Sequence, residues 1–169
     1  MTHTELDIMT RALEAAYRFD TFHALLENLS DVREDEWAAL PANHSAEVFG
    51  HSPDLSIAHI VKHVGAAKLM WGNHAFGDAS LTWPEAQPPS MDREPMLEWV
   101  DAAHRHFVAA VAALEDDREL AVDRPAHSGR LLPTHQIISI VINHDLYHSG
   151  EINRQRALIR GADGWVQPG

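Results

Sequence analysis

The chain is organised around residues 142–156, which read INHDLYHSGEINRQR. His144 and His148 are four residues apart, so on a helix they lie one turn apart on the same face. At about 100° per residue, Glu151 falls within roughly 60° of both. The apolar residues on this side are Ile137, Val141 and Leu158. Two imidazoles and a carboxylate on an apolar face are costly to bury unless something binds them. A metal ion would bind all three.

The length and composition of the chain indicate an ordinary globular protein. Its 169 residues suffice for one domain, which we expect to span residues 1–169, and 45% of them are hydrophobic. No apolar run approaches the roughly 20 residues of a membrane span. The first ten residues, MTHTELDIMT, lack the basic and apolar regions of a signal peptide. We therefore expect a cytoplasmic protein without a membrane partner.

The residue types exclude several kinds of chemistry. There is no cysteine, so a metal would be held by His, Asp or Glu, and a reacting thiol would have to arrive on a substrate. The net charge of −12 argues against a nucleic-acid partner, because phosphates require a basic surface. There is also no glycine-rich phosphate loop and no GxSxG motif. We expect a small-molecule substrate.

Four amphipathic segments with helical periodicity predict an all-α four-helix bundle. They cover residues 4–29, 55–76, 95–114 and 134–160. Thr2 or Thr4 can cap the first helix, and Ser56 or Asp54 the second. A short helix is predicted near 34–40. Residues 42–54, 77–94 and 118–133 are predicted to be connections, and no strand is predicted.

A metal site on the fourth helix needs a third ligand from elsewhere in the bundle. His63 lies near the middle of the second helix, among apolar residues of its inward face. A single His on such a face is more often a hydrogen-bonded core residue. The HxxxH pair on the fourth helix changes that balance, and His63 becomes the best candidate for the third ligand.

Five other residues leave two interpretations open. His59 and His104 are either core histidines or further members of the site. Asp20 is either solvated or an acceptor for a ligand imidazole. Asp145 points about 100° away from His144 and is expected to contact a ligand imidazole or lie at the surface. Trp83 either covers a pocket or plugs the core.

The chain resembles the DinB-like (YfiT-like) family of four-helix-bundle metalloproteins. Members carry one His on the second helix and HxxxH on the fourth, followed by a Gly and a polar residue. The matching segments here are SIAHIVKHV (56–64) and HDLYHSGEI (144–152), which place His63, His144 and His148 at the ligand positions. The family often has Arg-Gly-Gln after the last ligand, where this chain has Ser149, Gly150 and Glu151. The extra carboxylate of Glu151 is predicted to be a fourth ligand or a catalytic base.

The resemblance implies a metal site with three protein ligands and open positions for water or substrate. Characterised relatives transfer or isomerise small molecules with low-molecular-weight thiols such as bacillithiol, mycothiol or glutathione. We therefore expect a divalent metal, zinc or nickel with iron as a further candidate, and a thiol as cofactor. Relatives are commonly dimeric, and both faces of the first helix are apolar, so we also expect a homodimer.

Two other functions remain open. The first is metal-dependent hydrolysis, in which metal-bound hydroxide attacks the substrate and Glu151 acts as the base. The second is a bundle that binds metal without catalysing a reaction.

Overall fold

The computed structural model describes residues 4–20, 23–41 and 56–161. Six α-helices occur in these ranges: α1 (Thr4–Glu14), α2 (Leu25–Ser30), α3 (Glu34–Trp37), α4 (Ile57–Phe76), α5 (Arg93–Ala112) and α6 (Thr134–Arg160). A π-helical turn (Ala15–Phe19) extends α1, and a 3-10 helix (Asp117–Ala121) precedes strands β1 (Asp123–Pro125) and β2 (Leu131–Pro133). The protein is all-α, as the sequence predicts.

The second, third and fourth predicted helices correspond to α4, α5 and α6. Ser56 caps α4, because its hydroxyl accepts the backbone N–H of His59 at 3.4 Å. Gly161 ends α6 in the left-handed conformation, with φ of 67°. The helix continues through Gly150 without a break. Thr2, Asp54 and the predicted 42–54 connection lie outside the described residues.

The prediction of one first helix over 4–29 is wrong. The helix ends after the π-helical turn, and Asp20 has an extended backbone. The Asp20 carboxylate accepts the backbone N–H of His23 at 3.0 Å, and its carbonyl accepts the N–H of Ala24. An aspartate side chain that binds nearby backbone amides competes with the helix in this way. The apolar residues that continued the pattern, Leu25 and Leu29, belong to α2 and are buried.

The connection after α5 contains a hairpin that the sequence did not predict. β1 and β2 pair antiparallel, with Arg124 opposite Leu132. Each strand has three residues, which is too short for a period-two pattern to be recognised. Gly129 has φ of 80° in the turn between them. The turn also carries His127.

Helices α4 and α5 pack closely at Gly65. A Cβ at this position would lie 2.2 Å from a ring carbon of Trp99 on α5, so only glycine fits against the indole. On α6, the predicted inward residues Ile137 and Val141 are buried, whereas Leu158 is 44% exposed. No helix in the described ranges is both long and apolar enough to cross a bilayer.

The C-terminal end of α6 binds α2 and α3. Arg156 donates to the carbonyl of Asn28, and Arg160 donates to the carbonyl of Asp31, so two carbonyls near the end of α2 gain cationic partners. Arg160 also pairs with the fully buried Glu36 of α3. Hydrogen bonding from Arg160 lowers the pKa of Glu36 to about 2. These arginines therefore join the short helices to the bundle.

A polar layer, consisting of Lys68, His104 and Asp145, crosses the middle of the bundle. It lies between two buried apolar clusters, one containing Val64, Val100 and Ile152 and the other Ala75, Phe107 and Val141. Lys68 Nζ is 2.5 Å from Asp145 Oδ2 and 3.4 Å from His104 Nδ1, and all three side chains are buried. The layer links α4, α5 and α6.

The charges of this layer depend on one another. Burial lowers the pKa of Lys68 and raises that of Asp145, and the opposite charge of each partner counteracts the shift. Burial, followed by the charge of Lys68, lowers the pKa of His104 to about 2, so its ring is neutral and accepts from the ammonium. The second Asp145 oxygen has no hydrogen-bond partner among the residues described. Lys68 is thus the counter-charge that permits Asp145 to be buried.

Lys68→Met is expected to destabilise the protein by about 3–5 kcal/mol, because it leaves the Asp145 carboxylate buried without a cation. Adding Asp145→Leu to the same chain should recover most of this loss, since both charges are then removed. Urea unfolding measures the effect. Lys62→Met on the same helix is the matched control and should change stability by no more than about 0.5 kcal/mol. A Lys68→Met variant with the stability of wild type would contradict the role of the ion pair.

Candidate metal centre

Three histidines from two helices bring their Nε2 atoms together. His63 projects from α4, and His144 and His148 project from successive turns of α6. The Nε2 of His144 lies 3.0 Å from that of His63 and 3.1 Å from that of His148. One nitrogen from each ring belongs to a group whose members all lie within 4.8 Å of one another. This histidine triad could hold a metal ion, and it consists of the three residues predicted as ligands.

The triad is suited to a cation rather than to hydrogen bonds alone. Burial, followed by the charge of His148, lowers the pKa of His63 and brings that of His144 to about 3. Both rings are therefore neutral near pH 7 and direct lone pairs toward the same point. A single proton can satisfy one of the two N···N contacts. A metal ion would satisfy all three nitrogens.

Glu151 lies on the far side of the His148 ring. Its Oε2 is 2.7 Å from His148 Nδ1, so the carboxylate favours the tautomer that donates from Nδ1 and presents Nε2 to the triad. Carboxylates commonly orient metal-binding imidazoles in this way. The Glu151 oxygens are not part of the group formed by the three ring nitrogens. The catalytic role predicted for Glu151 stays a prediction.

Ser149, the residue after His148, joins α6 to α2. Asn28 of α2 donates to the Ser149 hydroxyl at 2.5 Å, and Asn153 donates to the Asn28 carbonyl oxygen of the side chain at 2.8 Å. The α2 segment therefore holds the turn of α6 that carries His148.

The structure places the remaining candidates outside the triad. His59 bonds to the hydroxyl of Ser56 through its Nδ1 at 2.9 Å. His104 belongs to the polar layer and stacks on Tyr17, with ring centroids 3.8 Å apart. Asp20 contacts the exposed His23, not a triad imidazole. Asp145 is buried rather than at the surface, and its carboxylate binds Lys68. The charge of His148 also lowers its pKa, so it interacts with the triad through electrostatics.

An aromatic cluster, consisting of Trp71, Trp83 and His127, stands beside the triad. The Trp83 indole is nearly parallel to the His63 ring, with an interplanar angle of 7° and centroids 6.5 Å apart. His127 meets Trp83 and Trp71 edge to face at 5.4 and 4.9 Å. Trp83 is 40% exposed, so it does not plug the core.

Sequence reasoning missed Lys68 and His127. Lys68 follows Val64 by four residues on the inward face of α4, so a lysine within an apolar stripe was the available signal. His127 lies in the connection predicted over residues 118–133. Its contacts with two tryptophans depend on the hairpin, which no local sequence pattern predicts.

The bundle and its histidine triad define a class of helical proteins with a candidate metal site between two long helices. A model of the DinB family matches residues 38–155. The chain belongs to the DinB family. Searches of curated proteins and of solved structures found no match.

Proposed function

We propose that His63, His144 and His148 bind one divalent metal ion, with zinc and nickel as the first candidates. Three imidazoles from two helices provide three ligands on one side of the ion and leave positions open for another molecule. The observation that carries the proposal is the convergence of the three Nε2 atoms, two contacts of which are 3.0 and 3.1 Å. Although partial burial lowers the pKa of His63, part of this residue is still accessible to solvent, which supports access to the triad.

We propose further that the protein is a transferase that uses a low-molecular-weight thiol. A divalent metal would supply a Lewis acid that lowers the pKa of a coordinated thiol. In the transfer, sulfur forms a bond to an electrophilic carbon, and the bond from that carbon to its leaving group breaks with the electron pair on the leaving group. The thiol proton goes to the leaving group or to water. Family membership and the open triad support this proposal.

The protein's own residues would orient and hold the reactants. Glu151 fixes the tautomer and direction of His148, and the Asn28–Ser149 contact holds the same turn. Metal-dependent hydrolysis with Glu151 as base is the second candidate. It is less well supported, because the carboxylate is engaged by Nδ1 on the side of the ring away from the triad.

The homodimer remains a prediction, and exposed Ile8 and Phe19 lie on the first helical stretch.

Cobalt(II) provides a spectroscopic test of the transferase proposal. Wild type is expected to bind one cobalt ion per chain and to develop a thiolate-to-cobalt charge-transfer band when glutathione is added. His144→Ala should lose the cobalt and the band. His59→Ala is the matched control, because it removes an imidazole one turn from His63 on the same helix, and it should keep both.

Two results would separate the alternatives. Cobalt binding without a charge-transfer band at any concentration of a range of thiols would contradict thiol transfer and leave hydrolysis or simple metal binding. Full cobalt occupancy in His144→Ala would contradict the triad itself.

Glu151→Ala is expected to weaken metal binding about 10- to 100-fold, because His148 loses the acceptor that fixes its tautomer. Glu151→Gln retains an acceptor oxygen and should lose less. Competition with a chelator measures both affinities. If Glu151 is a base instead, Glu151→Gln should abolish turnover with metal affinity unchanged. Equal affinity in wild type and Glu151→Ala would contradict the positioning role.

A further inference from the structure

The indole of Trp83 lies beside the histidine triad. Its ring is nearly parallel to that of His63, one of the triad, and it is 40% exposed. Tryptophan buries a large apolar area when it can, so an exposed indole beside a polar site is a surface available to a ligand. Small-molecule sites combine such aromatic walls with a few polar groups.

The connection that carries Trp83 is fixed on both sides of the residue. Before it, the Leu81 N–H donates to the side-chain oxygen of Asn73 at 2.9 Å, and the Leu81 carbonyl accepts from His74 Nε2 at 3.0 Å. After it, Glu85 accepts from the backbone N–H and hydroxyl of Thr82 at 2.9 and 2.6 Å. These hydrogen bonds therefore fix the turn that carries the indole.

Two further contacts hold this turn against α4. Ala86 is buried against Ala66 and Met70 of that helix. On the other side, His127 contacts both Trp83 and Trp71 edge to face, which connects the indole to α4 through the hairpin. Burial lowers the pKa of His127, so its ring adds no positive charge near pH 7. A rigid, neutral aromatic wall of this kind favours a flat apolar group.

We propose that Trp83 forms a subsite for a planar aromatic or conjugated group attached to the reacting carbon of the electrophilic substrate. This inference rests on the proposed function, since it places that group beside the triad. Stacking of aromatic faces contributes beyond the area that it buries, and a saturated ring of similar size lacks this contribution.

Among the residues that the structure describes, Tyr147 is a second exposed aromatic residue beside the triad. Its ring meets that of His148 edge to face at 5.0 Å and is 69% exposed. The Trp83 ring contacts the rings of His63 and His127, whereas the Tyr147 ring contacts that of His148. Trp83 is also the less exposed of the two, so it is the more confined surface, and Tyr147→Leu is a matched control at the same site.

Probes that join a metal-binding head to a ring test the subsite on the cobalt-loaded protein. Phenylmethanethiol and cyclohexylmethanethiol form one pair, and benzohydroxamate and cyclohexanecarbohydroxamate form a second pair that does not depend on thiol binding. Dissociation constants come from titration of the cobalt absorption bands. Wild type should prefer the aromatic member by about three- to tenfold.

The preference is expected to disappear in Trp83→Leu, to persist in part in Trp83→Phe, and to remain unchanged in Tyr147→Leu. Circular dichroism and urea unfolding establish that each variant is folded. Absence of a preference in wild type, or its survival in Trp83→Leu, would overturn the subsite. The subsite would also be overturned if a trimethylammonium thiol bound more tightly than phenylmethanethiol, because that result would indicate a cation site on the indole.

The outcomes distinguish this inference from the proposed function. A Trp83-dependent preference among the hydroxamates without any thiolate band would contradict thiol transfer and support the subsite. A thiolate band without any aromatic preference would support thiol transfer and overturn the subsite. Failure to bind cobalt would overturn both.

Discussion

The Lys68–Asp145 ion pair is the constraint on which the arrangement of the long helices depends. Both side chains are almost completely inaccessible to solvent, at 1% and 0% exposure. Two buried charges are tolerated only in contact, so they fix the position of α4 relative to α6. Asp145 directly follows His144, and Lys68 lies five residues after His63 on the other helix. The pair that satisfies the core thus also sets the register in which the triad meets.

Much of the fold and the triad could be predicted from sequence, because both depend on local periodicity. Four-residue spacing puts His144 and His148 on one face wherever α6 forms, and α6 begins and ends at the predicted residues. Ser56 and Gly161 are helix termini with strong local preferences. His63 followed from its place on an apolar stripe. Contacts that helix geometry sets can be predicted from residue spacing along the sequence.

The remaining features depend on side chains that compete with local pattern or on contacts between distant segments. Asp20 interrupts a helix whose apolar periodicity continues, since its carboxylate offers the backbone an alternative partner. Asp145 takes its partner from Lys68, 77 residues away. His127 reaches Trp83 only because a short hairpin turns beside α4. Spacing along one helix carries no information about such pairings.

Whether the histidine triad binds a metal is tested most directly by anomalous diffraction from crystals grown with zinc or nickel, collected at the absorption edge of the metal. We expect one strong peak per chain, bounded by the Nε2 atoms of His63, His144 and His148, with ligand distances of about 2.0–2.1 Å for zinc. Glu151 should remain on Nδ1 of His148 and not enter the coordination sphere. A metal peak elsewhere in the bundle with none at the triad would contradict the account.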